Sequence, residues 1–246
     1  MRRVGMGGPV LLGGGVAETY ADRVLATGPI AYWPLRETSG TVAQCLTNAA
    51  MNGTYARNVT DMGTGAGIGD GNTAPVFNGA NDFVNIYSAA LAAAFSGASG
   101  MLMVWSRVSG AGIWTDGLQH NSAALAADAV DNVYAAKVVA NNTLWMRYRA
   151  NNVSKSVTFL SGGNLAWFQW AITWSAAADQ VMIFYNGVQQ GATQNALGAW
   201  AGALAANQTI IGAANSVPAT PWSGTLAHVA VWDAVDTGAI VDLAAV

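Results

Sequence analysis

The sequence predicts an all-β protein in which two antiparallel sheets pack face to face, with a short helix near each end. Three observations predict it. First, apolar residues recur with a period of two. In Phe168-Gln-Trp-Ala-Ile-Thr-Trp-Ser175, Phe168, Trp170, Ile172 and Trp174 fall on one face and Gln169, Ala171, Thr173 and Ser175 on the other, the pattern of a half-buried strand. Second, Asn186-Gly187, Asn141-Asn142 and Asn151-Asn152 punctuate the chain, and these residues accept the left-handed backbone of tight turns. Third, ten Trp, seven Tyr and six Phe in 246 residues supply more ring surface than one sheet can cover, so a second layer is required. The Ala-rich runs do not keep a helical period for long enough to compete.

Taken in order, 1–19 is a glycine-rich arm and 20–246 the folded domain. Glu18–Ala26 has the spacing of an amphipathic helix, ended by Gly28-Pro29. Ile30–Leu35 is a strand, with Pro34 suited to its end. Glu37–Thr41 is a turn, and Asn52–Tyr55 is a turn leading into a strand. Residues 61–74 read as a glycine-rich loop. Val76–Gly79 and Asp82–Tyr87 are short strands, and Ser88–Phe95 holds one or two helical turns. Met101–Val108 is a core strand, and Gly112–Thr115 is a further extended segment. Asn132–Val139, Thr143–Ala150 and Val153–Phe159 form a meander. The hairpin Phe168–Gln190, the strands Gln208–Gly212 and Gly224–Trp232, and a helix at Thr237–Ala245 complete the chain.

Only 9% of residues are charged, against about a quarter in an ordinary soluble domain. Charge depletion marks the cores of interfaces, so much of this surface is expected to be covered in an assembly, with the N-terminal arm lying against a neighbour. A net charge of −3, with no basic residue after Lys155, excludes a phosphate-tracking groove for nucleic acid. Arg147 and Arg149, flanking Tyr148, share one strand face and read as a solvated face. The single Cys45 excludes an internal disulfide, and no apolar run is long enough to insert in a membrane.

Several blocks, in order, resemble a known family. They are Tyr20-x-x-x-Val24-Leu-Ala26; Pro29-Ile-Ala-Tyr-Trp-Pro-Leu35-x-Glu37-x-Ser39-Gly-Thr41; Asn52-Gly-Thr-Tyr55; and Phe77-Asn-Gly79-x-x-Asp82-Phe-Val84. Trp170-x-x-x-Trp174, Asp179–Gly187, Ile211-Gly212 and Trp222–Trp232 follow. Together they resemble a laminin-G-like domain of the concanavalin-A-like jelly-roll superfamily. The resemblance implies a jelly roll with a binding or structural role, common in extracellular and bacteriophage virion proteins. It also implies an acid a few residues after Ser39-Gly-Thr41, where this chain has Gln44, Cys45 and Leu46. That acid often helps hold calcium. Asn78, Asn81 and Asp82 remain as oxygen ligands, but calcium takes six to eight oxygens, and the simpler role for Asp82 is to cap a turn.

Catalysis is not expected. The two Glu, Glu18 and Glu37, lie near the N-terminus, and a glycosidase needs two carboxylates facing one bond. His120 and His228 are accompanied by no Gly-x-Ser-x-Gly elbow, and His228, inside a strand, reads as a satisfied core or interface residue. Trp114, Trp145, Trp200 and Trp222 lie at expected strand ends or in loops, where a ring can stack on a sugar; the alternative for each is the core or a subunit contact. The expectation is a non-enzymatic structural protein of a virion, on capsid or tail, contacting other subunits or copies of itself. The alternative is an extracellular module binding cell-surface glycans.

Overall fold

The computed structural model describes residues 18–56 and 62–246. The arm expected over 1–19 lies outside them except for Glu18 and Thr19. The strands are β1 (Ala31–Trp33), β2 (Val42–Ala43), β3 (Gly53–Ala56), β4 (Gly65–Ala66), β5 (Thr73–Ala74), β6 (Val76–Asn78), β7 (Phe83–Asn85), β8 (Ser99–Val108) and β9 (His120–Ala126). They continue as β10 (Asn132–Lys137), β11 (Thr143–Ala150), β12 (Val153–Leu160), β13 (Phe168–Ser175), β14 (Gln180–Tyr185), β15 (Val188–Gln194), β16 (Thr209–Ile211) and β17 (Ser223–Trp232). The helices are α1 (Tyr20–Ala26), α2 (Ala89–Ala94) and α3 (Thr237–Leu243).

Two antiparallel sheets form a jelly-roll sandwich. One runs β1-β17-β8-β13-β14-β15, with β6 beside β17; the other runs β12-β11-β10-β9-β16-β7-β3-β2. The four aromatic and aliphatic residues at alternate positions of β13 point into the space between them. There Trp170 packs against Phe168 and Trp222, with ring centres 5.7 and 5.9 Å apart. Trp174 stacks on Tyr148 of the facing sheet at 5.8 Å. Trp170 Nε1 donates to Ser106 Oγ at 2.7 Å, so the ring is buried without orphaning its one polar atom.

A third layer covers the other face of the seven-stranded sheet. Thr19 caps α1 in a reciprocal box with Asp22, and α1 then presents Tyr20, Ala21 and Val24 to Met103, Trp105 and Ala230. From α3, Ile240 and Leu243 join the same cluster. Tyr20 Oη donates to the Leu243 carbonyl at 2.8 Å, and Arg23 donates to the carbonyls of Ala245, at 2.7 Å, and Asp242. The first helix is thereby tied to the last. This layer explains why Gln169 and Thr173, expected on a half-exposed face, are buried.

Three segments differ from expectation. Gly112–Thr115 lies within a 3-10 helix, Ala111–Thr115, rather than in extended chain. His120–Ala126 is a strand, buried along its whole length, although its Ala, Ser and Asn have little strand preference; its neighbours β10 and β16 hold it there. The 61–74 loop also contains a small hairpin, β4 with β5.

Edge strand β12 is closed from outside by a side chain. Ser156 N donates to Gln194 Oε1 at 3.0 Å, and Gln194 Nε2 donates to Ser156 O at 2.5 Å. The amide stands in for a neighbouring peptide group and fastens β12 to β15 across the two sheets, occupying a ladder site that would otherwise be open for pairing.

Because the Trp170 indole is central to the inter-sheet core, Trp170→Ala is expected to lower the unfolding free energy by about 3–5 kcal/mol. Trp170→Phe, which keeps most of the volume but leaves Ser106 unpaired, should cost about 1–3 kcal/mol. Urea titration measures both.

Candidate functional site

The outer face of the eight-stranded sheet collects the polar and aromatic groups of the meander. Leu144, Met146, Tyr148 and Ala150 of β11 face the core, so alternation turns Trp145, Arg147 and Arg149 outward. The register sets Tyr134 of β10 and Ser156 of β12 directly beside Arg147, and Ala136 and Thr158 beside Trp145. The Arg147 guanidinium carbon lies over the Tyr134 ring at 5.0 Å and over the Trp145 ring at 4.8 Å. Its Nε and Nη2 donate to Asn132 Oδ1 at 3.1 and 2.7 Å. Arg149 donates to the Ala129 carbonyl at 2.9 Å and to Asn152. Tyr134, Trp145 and Arg147 are each half-buried. Burial lowers the proton affinity of Arg147 and pushes the Tyr134 phenol up. The result is a platform with two rings, a guanidinium and the Ser156 and Thr158 hydroxyls on one face of the sheet.

Of the four tryptophans expected to stack on a ligand, only Trp145 is on this platform, and it stands within β11 rather than at a strand end or in a loop. Trp114 and Trp222 are core residues, 1% and 0% exposed. Trp114 tilts against Phe168 at 6.0 Å and donates from Nε1 to the Asn164 carbonyl at 2.9 Å, and Trp222 packs on Trp170. Neither can touch a ligand, because the 3-10 helix and the start of β17 direct both rings inward. Trp200 is partly exposed, but its ring is packed against Phe95 at 5.4 Å and Tyr148 at 6.1 Å. It plugs one end of the sandwich over Gly97. A Cβ on Gly97 would lie 2.2 Å from the Trp200 ring, and Gly97 has φ +70, so only glycine fits beneath this plug.

The three residues named for a metal, Asn78, Asn81 and Asp82, are occupied in a turn. Asp82 is buried and its Oδ2 accepts from Asn78 N at 2.9 Å. Asn78 Oδ1 accepts from the amides of Ala80 and Asn81 at 2.8 and 3.0 Å, and its Nδ2 donates to Asn81 Oδ1. Among the described residues, no three His, Cys, Asp or Glu side chains gather to hold a metal.

Both histidines are locked into buried polar knots. His228 has φ +48 and sits at a β-bulge between Ala227 and Ala230, which breaks the alternation and turns its ring into the helix layer. There Nε2 lies 3.0 Å from Asp70 Oδ2 and Nδ1 lies 2.6 Å from Tyr32 Oη. Burial holds the imidazole below its ordinary proton affinity, against the pull of Asp70. A neutral ring then donates from Nε2 to Asp70 and accepts from Tyr32, so every partner is satisfied. In the second knot Asp116 receives His120 Nε2 and Lys137 Nζ, each at 2.7 Å. Fully buried Lys137 also donates to the Leu118 carbonyl at 2.8 Å, and His120 Nδ1 meets the Pro221 carbonyl at 2.6 Å.

The fold is a jelly roll of two antiparallel sheets. The family model of the concanavalin A-like lectin/glucanases superfamily, of laminin-G type, matches residues 102–241, and the chain belongs to that family. The matched span starts later than the motif order from Tyr20 implied. A comparison with curated proteins returns no match. Among solved structures, domain 4 of an extracellular arabinanase from Geobacillus stearothermophilus, in complex with arabinotriose, aligns with a TM-score of 0.58 at 15% identity, covering 88% of this chain and 98% of that one. The receptor-binding domain of botulinum neurotoxin mosaic serotype C/D gives 0.59 at 10% identity, covering 88% of this chain and 50% of that one. The sialidase module CBM40 of Ruminococcus gnavus, bound to α2,3-sialyllactose, gives 0.53 at 12% identity, covering 70% and 95%. These likenesses are likenesses of fold.

Burial opposes ionisation of Asp116, but Lys137, the Leu118 amide and His120 outweigh it and hold the carboxyl below its ordinary 3.8, at about 2. A depressed carboxylate stabilises the fold above its unfolded value and loses that contribution as pH falls through the folded one. Asp116→Asn is therefore expected to be much less stable than the parent near neutral pH, with the gap narrowing between about pH 4 and pH 2. Unfolding free energies across that range read the effect.

Proposed function

We propose that this protein is a non-catalytic carbohydrate-binding jelly roll that engages surface glycans on the outer face of its eight-stranded sheet. The observation that carries the reading is the outward cluster of Trp145, Tyr134 and Arg147, braced by Asn132. A pyranose presents an apolar face of C–H groups and an equator of hydroxyls. An indole covers the first, while the guanidinium and the Ser156 and Thr158 hydroxyls meet the second, the mix of apolar surface and a few placed polar groups that marks a ligand site. The sugars bound by the arabinanase domain and the sialidase module support the reading by analogy of fold.

Absence of catalysis fits the same surface. Both histidines are spent on buried knots, and Glu37 accepts from Gln44 N and Tyr55 Oη, each at 2.8 Å. A module of this kind works outside the cell. The description of a virion component rested on low charge and the N-terminal arm; the family and its neighbours lend it no support, and the arm lies outside the described residues.

A glycan array followed by calorimetry on the best ligand tests the proposal. Trp145→Ala is expected to weaken binding about tenfold or more, where 1.4 kcal/mol corresponds to a factor of ten, with the melting temperature nearly unchanged. Trp200→Ala should do the reverse, lowering the melting temperature and sparing the affinity. An array without a single binder would sink the proposal.

A further inference from the structure

Resting on that reading, we infer that the glycan taken by this face is acidic, and that Arg147 grips a sugar carboxylate. Among the described residues no carboxylate lies within ion-pair distance of Arg147 or Arg149. The acids of the adjoining turn are used elsewhere. Asp128 Oδ1 accepts from the amides of Val130 and Asp131, and Asp131 Oδ1 from the amide of Asn151. A chain with a net charge of −3 thus leaves two guanidiniums on one strand face without a counter-charge. Arg147 is also half-buried, and two ring faces replace part of its water. A desolvated cation gains most from an anion brought to it.

The geometry selects the kind of anion. Nε and Nη2 of Arg147 both point at a single acceptor, Asn132 Oδ1, which fixes the plane of the group. Nη1 has no hydrogen-bond partner among the described residues, so the Nη1–Nη2 end of the fork remains free. Tyr134 and Trp145 lie against its faces, which favours approach in the plane. Two parallel N–H donors in a plane match the two oxygens of a carboxylate. Ser156, opposite Arg147 on β12, stands beside that position to meet a ring hydroxyl. A sugar acid carries the carboxylate, the hydroxyls and the apolar ring face on one residue, which an acidic peptide does not.

The experiment compares matched probes on the intact protein. These are an oligogalacturonate with its methyl ester, a sialylated trisaccharide with its desialylated disaccharide, and a Glu-rich peptide. At least one acidic sugar is expected to bind about tenfold or more tighter than its neutral counterpart, with the margin shrinking as salt is raised. Arg147→Gln should abolish that margin, weakening the acidic sugar about tenfold more than its neutral counterpart, and Arg147→Lys should restore only part of it. Neutral and acidic sugars binding equally, or Arg147→Gln weakening both alike, would overturn the inference and leave the binding face standing. Equal binding of the peptide would overturn the sugar assignment. Failure of all five probes, with a blank array, would remove the parent proposal as well.

Discussion

Packing of large rings between the two sheets is the constraint on which the rest of this structure depends. Trp170, Trp174 and Phe168 on one strand meet Trp222, Tyr148 and Trp114 from elsewhere in the chain. Each ring buries a large apolar area in a fixed orientation. Once β13 commits its rings to that space, its neighbours must alternate in step, because a slip of one residue would turn every ring to the wrong side. The alternation of β11 follows from the same demand. With Tyr148 fixed inward against Trp174, Trp145 and Arg147 have nowhere to go but outward. The platform is thus a by-product of core packing, and a ligand that uses it meets side chains whose backbone cannot shift.

Much of the fold was legible in the sequence because rings, alternation and Asn or Gly turns all act locally. The β13–β14 hairpin, the meander and both terminal helices come from such signals. The strand His120–Ala126 carried no such signal. Its alanines and its one serine are small because both of its faces are covered, and only neighbours far away in sequence reveal that. Residues 112–115 misled for the opposite reason: Ile and Trp favour a strand, but one turn of 3-10 helix is what carries Trp114 into the core.

The site was less legible. Position in a loop or at a strand end was a poor guide to which tryptophan is exposed, since Trp114 and Trp222 leave their loops inward and Trp200 packs over one end of the sandwich. Arg147 was visible as one of a pair on a common face. Its partnership with Tyr134 was not, since Tyr134 lies on another strand and only the β10–β11 register brings them together. The buried knots also needed the fold. Lys137 looks like a surface residue until Asp116, far back in the chain, closes on it, and the ring of His228 points the way it does only because of a bulge.

The two ends of the described chain emerge side by side. Glu18, Thr19 and Val246 border one shallow pocket, on the helix layer and behind the seven-stranded sheet. The platform with Trp145 looks out from the opposite side of the sandwich. The helix layer, in which Tyr20 Oη is bonded to the Leu243 carbonyl, therefore shares no side chain with the face that carries Trp145, and each can be altered without touching the other.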